Sequence, residues 1–291
     1  MATMAICVGA TKAGTSFLYE HLAAHPQCHF RTIKELHYFD KVLTGATREW
    51  CRDLEAEANR VKCWLPDAAV EMVPRMLRRI SDLADWVEVL AKPEIDLKAY
   101  CSFLTAGRAG RPVVGEVTPA YVTLSTDVLA RIAGMSGDVR IIYLMRDPVA
   151  RMWSHVRMMT EREKSGSEQF VVQVARKFDY FIRRDPMVQQ RGDYAMALAK
   201  LTEVVAPGRL LTMFSEDMMT AAGMARLWAF LRIGPGQVNL DRRVHEGPTL
   251  AMSRDQLARA RAALMPQYRA VARHFPVLPD AWRKSMEEVA T

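Results

Sequence analysis

Four apolar runs rich in β-branched residues punctuate the chain, at residues 4–10, 112–117, 139–145 and 209–214. They are nearly continuous in apolar character rather than alternating, the pattern of strands buried on both faces of a parallel sheet. Between them, apolar positions recur at three- and four-residue spacing over 15–25, 125–134, 148–163, 193–206 and 220–232, the periodicity of amphipathic helices. The alternation predicts an α/β fold, a three-layer α/β/α arrangement around a central, mostly parallel sheet. Residues 47–105 depart from it. They carry helical periodicity and Trp50, Trp64 and Trp86 but no clear strand, which predicts a helical insertion after the first strand–helix unit. Beyond Gly234 the chain reads as loop to about Pro248. A helical tail over about 249–291 follows, which Pro266, Pro276 and Pro279 are expected to break into short pieces. A single domain over 1–291 is the simplest organisation.

Composition narrows the chemistry. A chain of 291 residues with half of them hydrophobic buries enough surface to need no disulfide staples. Five cysteines, an odd number with no Cys-x-x-Cys pair, read as reduced thiols in a cytoplasmic protein rather than a disulfide frame or a zinc site. No signal-peptide pattern opens the chain, and no stretch reaches the ~20 apolar residues of a membrane helix, so no stable membrane insertion is expected. A formal charge of +7 favours anionic ligands. Lys and Arg are scattered, without a zinc-finger or basic-region signature, so a phosphate-rich nucleotide accounts for the charge and nucleic acid is not implied. The pattern specifies no oligomeric state.

The first strand runs into Gly9-Ala10-Thr11-Lys12-Ala13-Gly14-Thr15-Ser16, and a helical pattern begins at Phe17. Strand, glycine-bearing turn and helix start gather backbone N–H groups and the positive end of a helix dipole at one point, a geometry that binds phosphate. Gly14 allows close approach of the backbone, and the Thr15 and Ser16 hydroxyls are expected to cap the helix. A nucleotide triphosphatase loop requires Gly-x-x-x-x-Gly-Lys-[Ser/Thr]. Gly9 and Gly14 have that gap, but Thr15 stands in the lysine position and Lys12 lies two residues before Gly14. The displaced lysine addresses a different atom of a bound phosphate, and the usual Mg²⁺ register is lost.

The strand 139–145 ends in Arg146-Asp147-Pro148, with Arg151 and Ser154 following. Asp147 suits an N-cap and Pro148 a first helical position. Arg146 then lies at the sheet's carboxyl edge with Ser154 two turns into the helix on the same side, a guanidinium–hydroxyl clamp for phosphate. Read alone, an apolar strand ending in Asp is also the pattern of a magnesium-binding strand. Between these anchors, Lys34-Glu35-Leu36-His37-Tyr38-Phe39 alternates polar and apolar residues. In an extended segment Glu35 and His37 project to one side, two possible proton acceptors.

Taken in order, Thr11-Lys12-Ala13-Gly14-Thr15-Ser16, Lys34-Glu35-Leu36-His37-Tyr38-Phe39 and Arg146-Asp147-Pro148-x-x-Arg151-x-x-Ser154 resemble the motifs of the 3′-phosphoadenosine 5′-phosphosulfate (PAPS)-dependent sulfotransferase family, in particular its heparan-type and bacterial members. The resemblance spans about residues 5–245 and is thin across the helical insertion. It implies a P-loop-like sulfotransferase fold, PAPS as sulfuryl donor, adenosine 3′,5′-bisphosphate (PAP) as product, and no required metal. It assigns Lys12, Ala13, Gly14, Thr15 and Ser16 to the 5′-phosphosulfate loop, and Arg146 and Ser154 to the 3′-phosphate. Glu35 is implied as the base, with His37 as its partner or substitute. Gly115-Glu116-Val117-Thr118-Pro119-Ala120-Tyr121 resembles a further family segment, but Val117 replaces a lysine of the heparan-type enzymes, which weakens the case for a polysaccharide acceptor. Tyr194, in Arg191-Gly192-Asp193-Tyr194, and Arg242 and Arg243 of a basic loop are further implied nucleotide contacts. The acceptor class stays open among small molecules, lipids and glycans; Trp64, Met72, Met76 and Trp86 are candidates to line an apolar pocket for it. Two other classes remain: a nucleotide-dependent kinase, and a non-catalytic anion- or nucleic-acid-binding protein.

Overall fold

The structure, a computed structural model, describes residues 2–163, 169–184, 190–240 and 250–287. Five strands form one sheet: β1 (Thr3–Gly9), β2 (Cys28–Phe30), β3 (Val113–Val117), β4 (Val139–Met145) and β5 (Leu210–Phe214), in the order β2-β3-β1-β4-β5. All four pairings are parallel, with Ala5 opposite Gly115 on one side of β1 and Arg140 on the other. Every residue of β3 and β4, and every residue of β1 after Thr3, is buried. Only a sheet covered on both faces produces that, which is why these strands read as continuous apolar runs. The four expected strands are present with ends shifted by about a residue. The edge strand β2 is an addition: three residues are too few to carry a period.

Helices α1 (Thr15–Ala24) and α2 (Tyr38–Thr44) flank β2. The insertion follows as α3 (Thr47–Trp64), α4 (Val73–Leu90) and α5 (Leu97–Thr105), with α3 and α4 packed along each other as a hairpin. Only one stripe of each faces inward: Leu54 and Ala58 on α3; Asp82, Leu83, Trp86 and Leu90 on α4. Then come α6 (Thr126–Gly134), α7 (Pro148–Arg162), α8 (Phe170–Arg184), α9 (Tyr194–Val204), the single turn α10 (Ser215–Met218), α11 (Ala221–Leu231), α12 (Arg254–His274) and α13 (Asp280–Glu287). Of the described helices, none is long and apolar enough to cross a membrane.

The tail differs from expectation at one proline. Pro276 and Pro279 do separate α12 from α13, but α12 runs through Pro266 unbroken. Pro266 lacks the N–H that would bond the carbonyl four residues back; contacts on both sides of it offset that loss. Ala260, Tyr268 and Val271 are buried, Gln267 Oε1 accepts from the Tyr194 N–H at 2.8 Å, and the Tyr268 hydroxyl donates to Asp147 Oδ2 at 2.5 Å. Tyr268 and Tyr194 also pack on the ring of Trp282 from α13. The tail therefore buttresses the elements that carry Arg146.

Candidate active site

In this strand order the chain crosses β1 when it passes from β3 to β4, so the carboxyl ends of β1 and β4 flank the switch point where open α/β sheets bind ligands. Lys12 follows β1, and Arg146 follows β4. The two are joined directly, Arg146 Nη1 donating to the Lys12 carbonyl at 3.4 Å. Ala10 N–H donates to the Leu144 carbonyl at 2.8 Å, which ties the start of the loop to β4. Burial first, and then the guanidinium of Arg146 with the further cations Arg162, Arg157 and Lys34, pushes the Lys12 ammonium below its ordinary range. Lys12 thus stands in a concentrated positive field.

The loop turns on two left-handed residues, Lys12 at φ 68° and Gly14 at φ 86°. Gly14 is the N-cap of α1, and no side chain caps the helix. This corrects the expectation for Thr15 and Ser16, which are the first helical residues and do not cap. The uncapped first turn leaves its N–H groups directed into the loop, beside Lys12. A Cβ at Gly14 would lie 2.8 Å from Met219 Cε and 3.2 Å from Met218 Cε; those flexible methionine ends can shift, so the left-handed backbone angle is what favours glycine here.

Arg146 is held from below. Asp147 caps α7, accepting from the Ala150 N–H at 2.8 Å on one oxygen and from Tyr268 on the other, while its own N–H donates to Glu216 Oε1 at 3.0 Å. Tyr194 is fully buried; its hydroxyl donates to the Arg146 carbonyl at 2.6 Å and accepts from the Arg146 N–H at 3.2 Å. Its polar atom is therefore committed to the Arg146 backbone. Ser154 lies half-buried on α7. Next to it His155 is buried, and desolvation with Arg151, Arg191 and Lys12 holds its imidazole neutral, pushed down to about 3. Arg242 and Arg243 lie outside the described residues.

The Glu35 segment is not extended. Glu35 (φ 65°) and His37 (φ 54°) are both left-handed, and the outcome, a shared face, is reached by a different backbone. His37 Nε2 lies 3.5 Å from Glu35 Oε2 and Nδ1 lies 2.7 Å from Asp40 Oδ2. A neutral ring donates through only one nitrogen, so carboxylates at both favour the imidazolium. Burial disfavours that charge, but Asp40 and Glu35 overcome it and raise His37 to about 9. Burial likewise pushes the Glu35 carboxyl up, and the His37 and Lys34 contacts more than offset it, leaving it at about 2. His37 is therefore the charged partner of Glu35, and a protonated ring is no substitute base.

What holds this loop was not legible beforehand. The Leu36 carbonyl accepts from the indoles of Trp50 at 3.2 Å and Trp86 at 3.1 Å. The Leu36 N–H donates to Glu116 Oε2 at 3.3 Å, and the Glu35 N–H to the Val117 carbonyl at 3.2 Å. Tyr121 Oη accepts from the Tyr38 N–H at 2.9 Å. Glu116 is wholly buried; desolvation pushes its carboxyl up, against hydrogen bonds from Thr118, Tyr100 and Tyr121. Asp40 is thus a part of the site that residue type and spacing did not single out, while Glu116 and Tyr121, met above only within a family-like segment, support the loop. Trp86 belongs to this support and lines no acceptor pocket. Trp64, Met72 and Met76 do line a cavity of about 420 Å³ with Asp67, Ala68 and Ala69, at the far end of the α3–α4 hairpin. Thirteen residues of α4 separate Val73 from Trp86, about 20 Å at 1.5 Å per residue.

Against known proteins, the sequence model of the sulfotransferase family matches residues 5–233. Carbohydrate sulfotransferase 15 of Rattus norvegicus is 24% identical over 259 residues, covering 78% of this chain and 43% of that protein. The Homo sapiens protein of the same name is 25% identical over 256 residues, with the same coverage. The chain spans under half the length of these relatives. A sulfotransferase from Alicyclobacillus acidocaldarius superposes with a TM-score of 0.60 at 20% identity, covering 97% of this chain and 99% of the other. The sulfotransferase domain from the curacin biosynthetic pathway gives 0.50 at 17% identity, covering 82% and 77%. These two establish likeness of fold. The lysine-bearing loop and Arg146 lie within the matched span, and the chain belongs to the sulfotransferase family.

Proposed function

We propose that the chain is a PAPS-dependent sulfotransferase that modifies a hydroxyl or amine of a small-molecule, lipid or glycan acceptor and releases PAP. One observation carries this reading: Lys12 and Arg146, in contact at the switch point, stand beside an uncapped helix start. The residues present fit the donor. Gly14 takes the left-handed angle that turns the loop into α1, the first-turn N–H groups of α1 suit the 5′-phosphate, and Arg146 and Ser154 suit the 3′-phosphate. When bound, PAPS supplies a sulfuryl group on a phosphate leaving group. Lys12 places a positive charge where a leaving oxygen gains negative charge. Glu35, kept ionised by His37 and Lys34, accepts the acceptor's proton. Tyr194 positions Arg146 through its backbone rather than touching the nucleotide.

The kinase reading is supported less well, because Lys12 precedes Gly14 and Asp147 already serves the fold. Both Asp147 oxygens are engaged by the helix cap and by Tyr268. Relatives named as carbohydrate sulfotransferases favour a glycan acceptor, and Val117 in place of lysine favours a smaller or less charged one. The test combines thermal shift with PAP and transfer of label from ³⁵S-PAPS to an acceptor panel. PAP stabilisation that disappears in Arg146→Ala/Ser154→Ala, with labelled product, supports the reading. Stabilisation by Mg-ATP and not by PAP would return the kinase; steeply salt-dependent DNA binding without a PAP shift would return the anion-binding protein.

A further inference from the structure

The tip of the α3–α4 hairpin leaves its apolar residues exposed or half-buried. From Asn59 to Ser81 not one residue is buried, although the stretch contains Trp64, Leu65, Val70, Met72, Met76 and Leu77. Trp64 is 67% exposed and Val70 85%. Leu54 and Ala58 before this segment, and Asp82, Leu83 and Trp86 after it, are packed inward, so the hairpin is anchored at its base and bare at its tip. Helical hairpins end in polar turns when the turn merely reverses the chain; a contiguous exposed apolar surface marks a contact. Charge identifies the contact. Arg60, Lys62, Arg75 and Arg78 are exposed around the apolar tip, against Asp67 and Glu71.

We propose that this tip docks the protein on an anionic lipid surface. Trp64, Val70, Met72 and Leu77 enter the headgroup–acyl boundary, while the four cations pair with anionic headgroups. An apolar wedge with an interfacial tryptophan and a basic rim is the chemistry of peripheral membrane binding without a spanning helix. A second copy of the chain fits less well, because a two-fold contact across the tip would set these cations against their own copies. The docking surface lies along α4 from the Trp86–Leu36 bond, so membrane attachment fixes the orientation of the hairpin that supports Glu35. The inference does not depend on the transfer chemistry.

The test is co-flotation of the chain with phosphatidylcholine vesicles and with vesicles carrying anionic phosphatidylglycerol. Binding to the anionic vesicles only, weakening as salt rises, is expected. Arg75→Glu/Arg78→Glu should weaken it at least 25-fold, at about fivefold per cation lost. Trp64→Ala/Val70→Ala should weaken it as well, with circular dichroism and thermal melting unchanged since neither side chain is buried. Wild-type chain that stays out of the anionic vesicles, or variants that float as well as wild type, would overturn the proposal. So would light scattering that shows a dimer abolished by Trp64→Ala/Val70→Ala, which would assign the tip to a second copy.

Discussion

The indole of Trp86, fully buried in the helical insertion, donates to the carbonyl of Leu36 at 3.1 Å, between the two charged residues Glu35 and His37. Through this bond the helical insertion sets the backbone of the candidate base. Two levels of loss should separate the packing from the hydrogen bond. Trp86→Phe keeps an aromatic ring but gives up the bond, about 1 kcal/mol, and a small part of the packing; Trp86→Ala opens a much larger cavity and should cost about 3–5 kcal/mol in urea unfolding. If the bond positions Glu35, Trp86→Phe lowers kcat with PAP affinity unchanged.

Lys12 is the charge proposed above to meet the leaving group. Lys12→Ala should reduce kcat about 100- to 1,000-fold, the range for removing one preorganised charge donor. Turnover within a few-fold of wild type, with PAP bound normally, would take Lys12 out of the chemistry.

The Glu35–His37–Asp40 group makes a pH prediction. His37 is raised from its ordinary 6.5 to about 9, so its ion pairs stabilise the fold fully below about pH 6.5, and that contribution is lost as pH rises through about 9. Glu35, at about 2, stays ionised throughout. The kcat/KM profile should therefore be flat on the acid side down to about pH 5 and fall above about pH 9. Asp40→Asn removes one carboxylate from the ring and should move the alkaline limb toward neutrality. An NMR titration of the His37 ring reads the shift directly, and an unmoved limb would detach Asp40 from the site.

Gly14 combines φ 86° with a methyl-sized space already filled by Met219 and Met218. Gly14→Ala should destabilise by about 1–2 kcal/mol from the left-handed backbone. It should also weaken PAP binding by more than that figure implies if relieving the angle moves the first-turn N–H groups of α1. Equal losses in both measurements would make the glycine purely structural.

Much of the phosphate side was legible in the chain because its residues are local. Strand, turn and helix follow one another in one stretch, so Lys12 and Gly14, and likewise Arg146 and Asp147, announce their geometry through spacing alone. The proton-accepting side was legible only as a pair of residue types. Its backbone is left-handed where alternation suggested extension, and Asp40, Glu116, Tyr121, Trp50 and Trp86 come from four separate segments. Pro266 misled for the same reason: propensity at one position ignores Gln267 and Tyr268 bonding to α9 and to Asp147.

What the sequence determined by itself is therefore the α/β alternation and the two basic strand ends, since continuous apolar runs and a displaced lysine are properties of short segments. Tertiary structure alone decided the protonation of His37, the burial of Tyr194, and the division of the tryptophans into Trp50 and Trp86 beneath Glu35 and Trp64 at the bare tip. A pKa or an exposure depends on which distant groups pack against a residue, and that is a property of the fold.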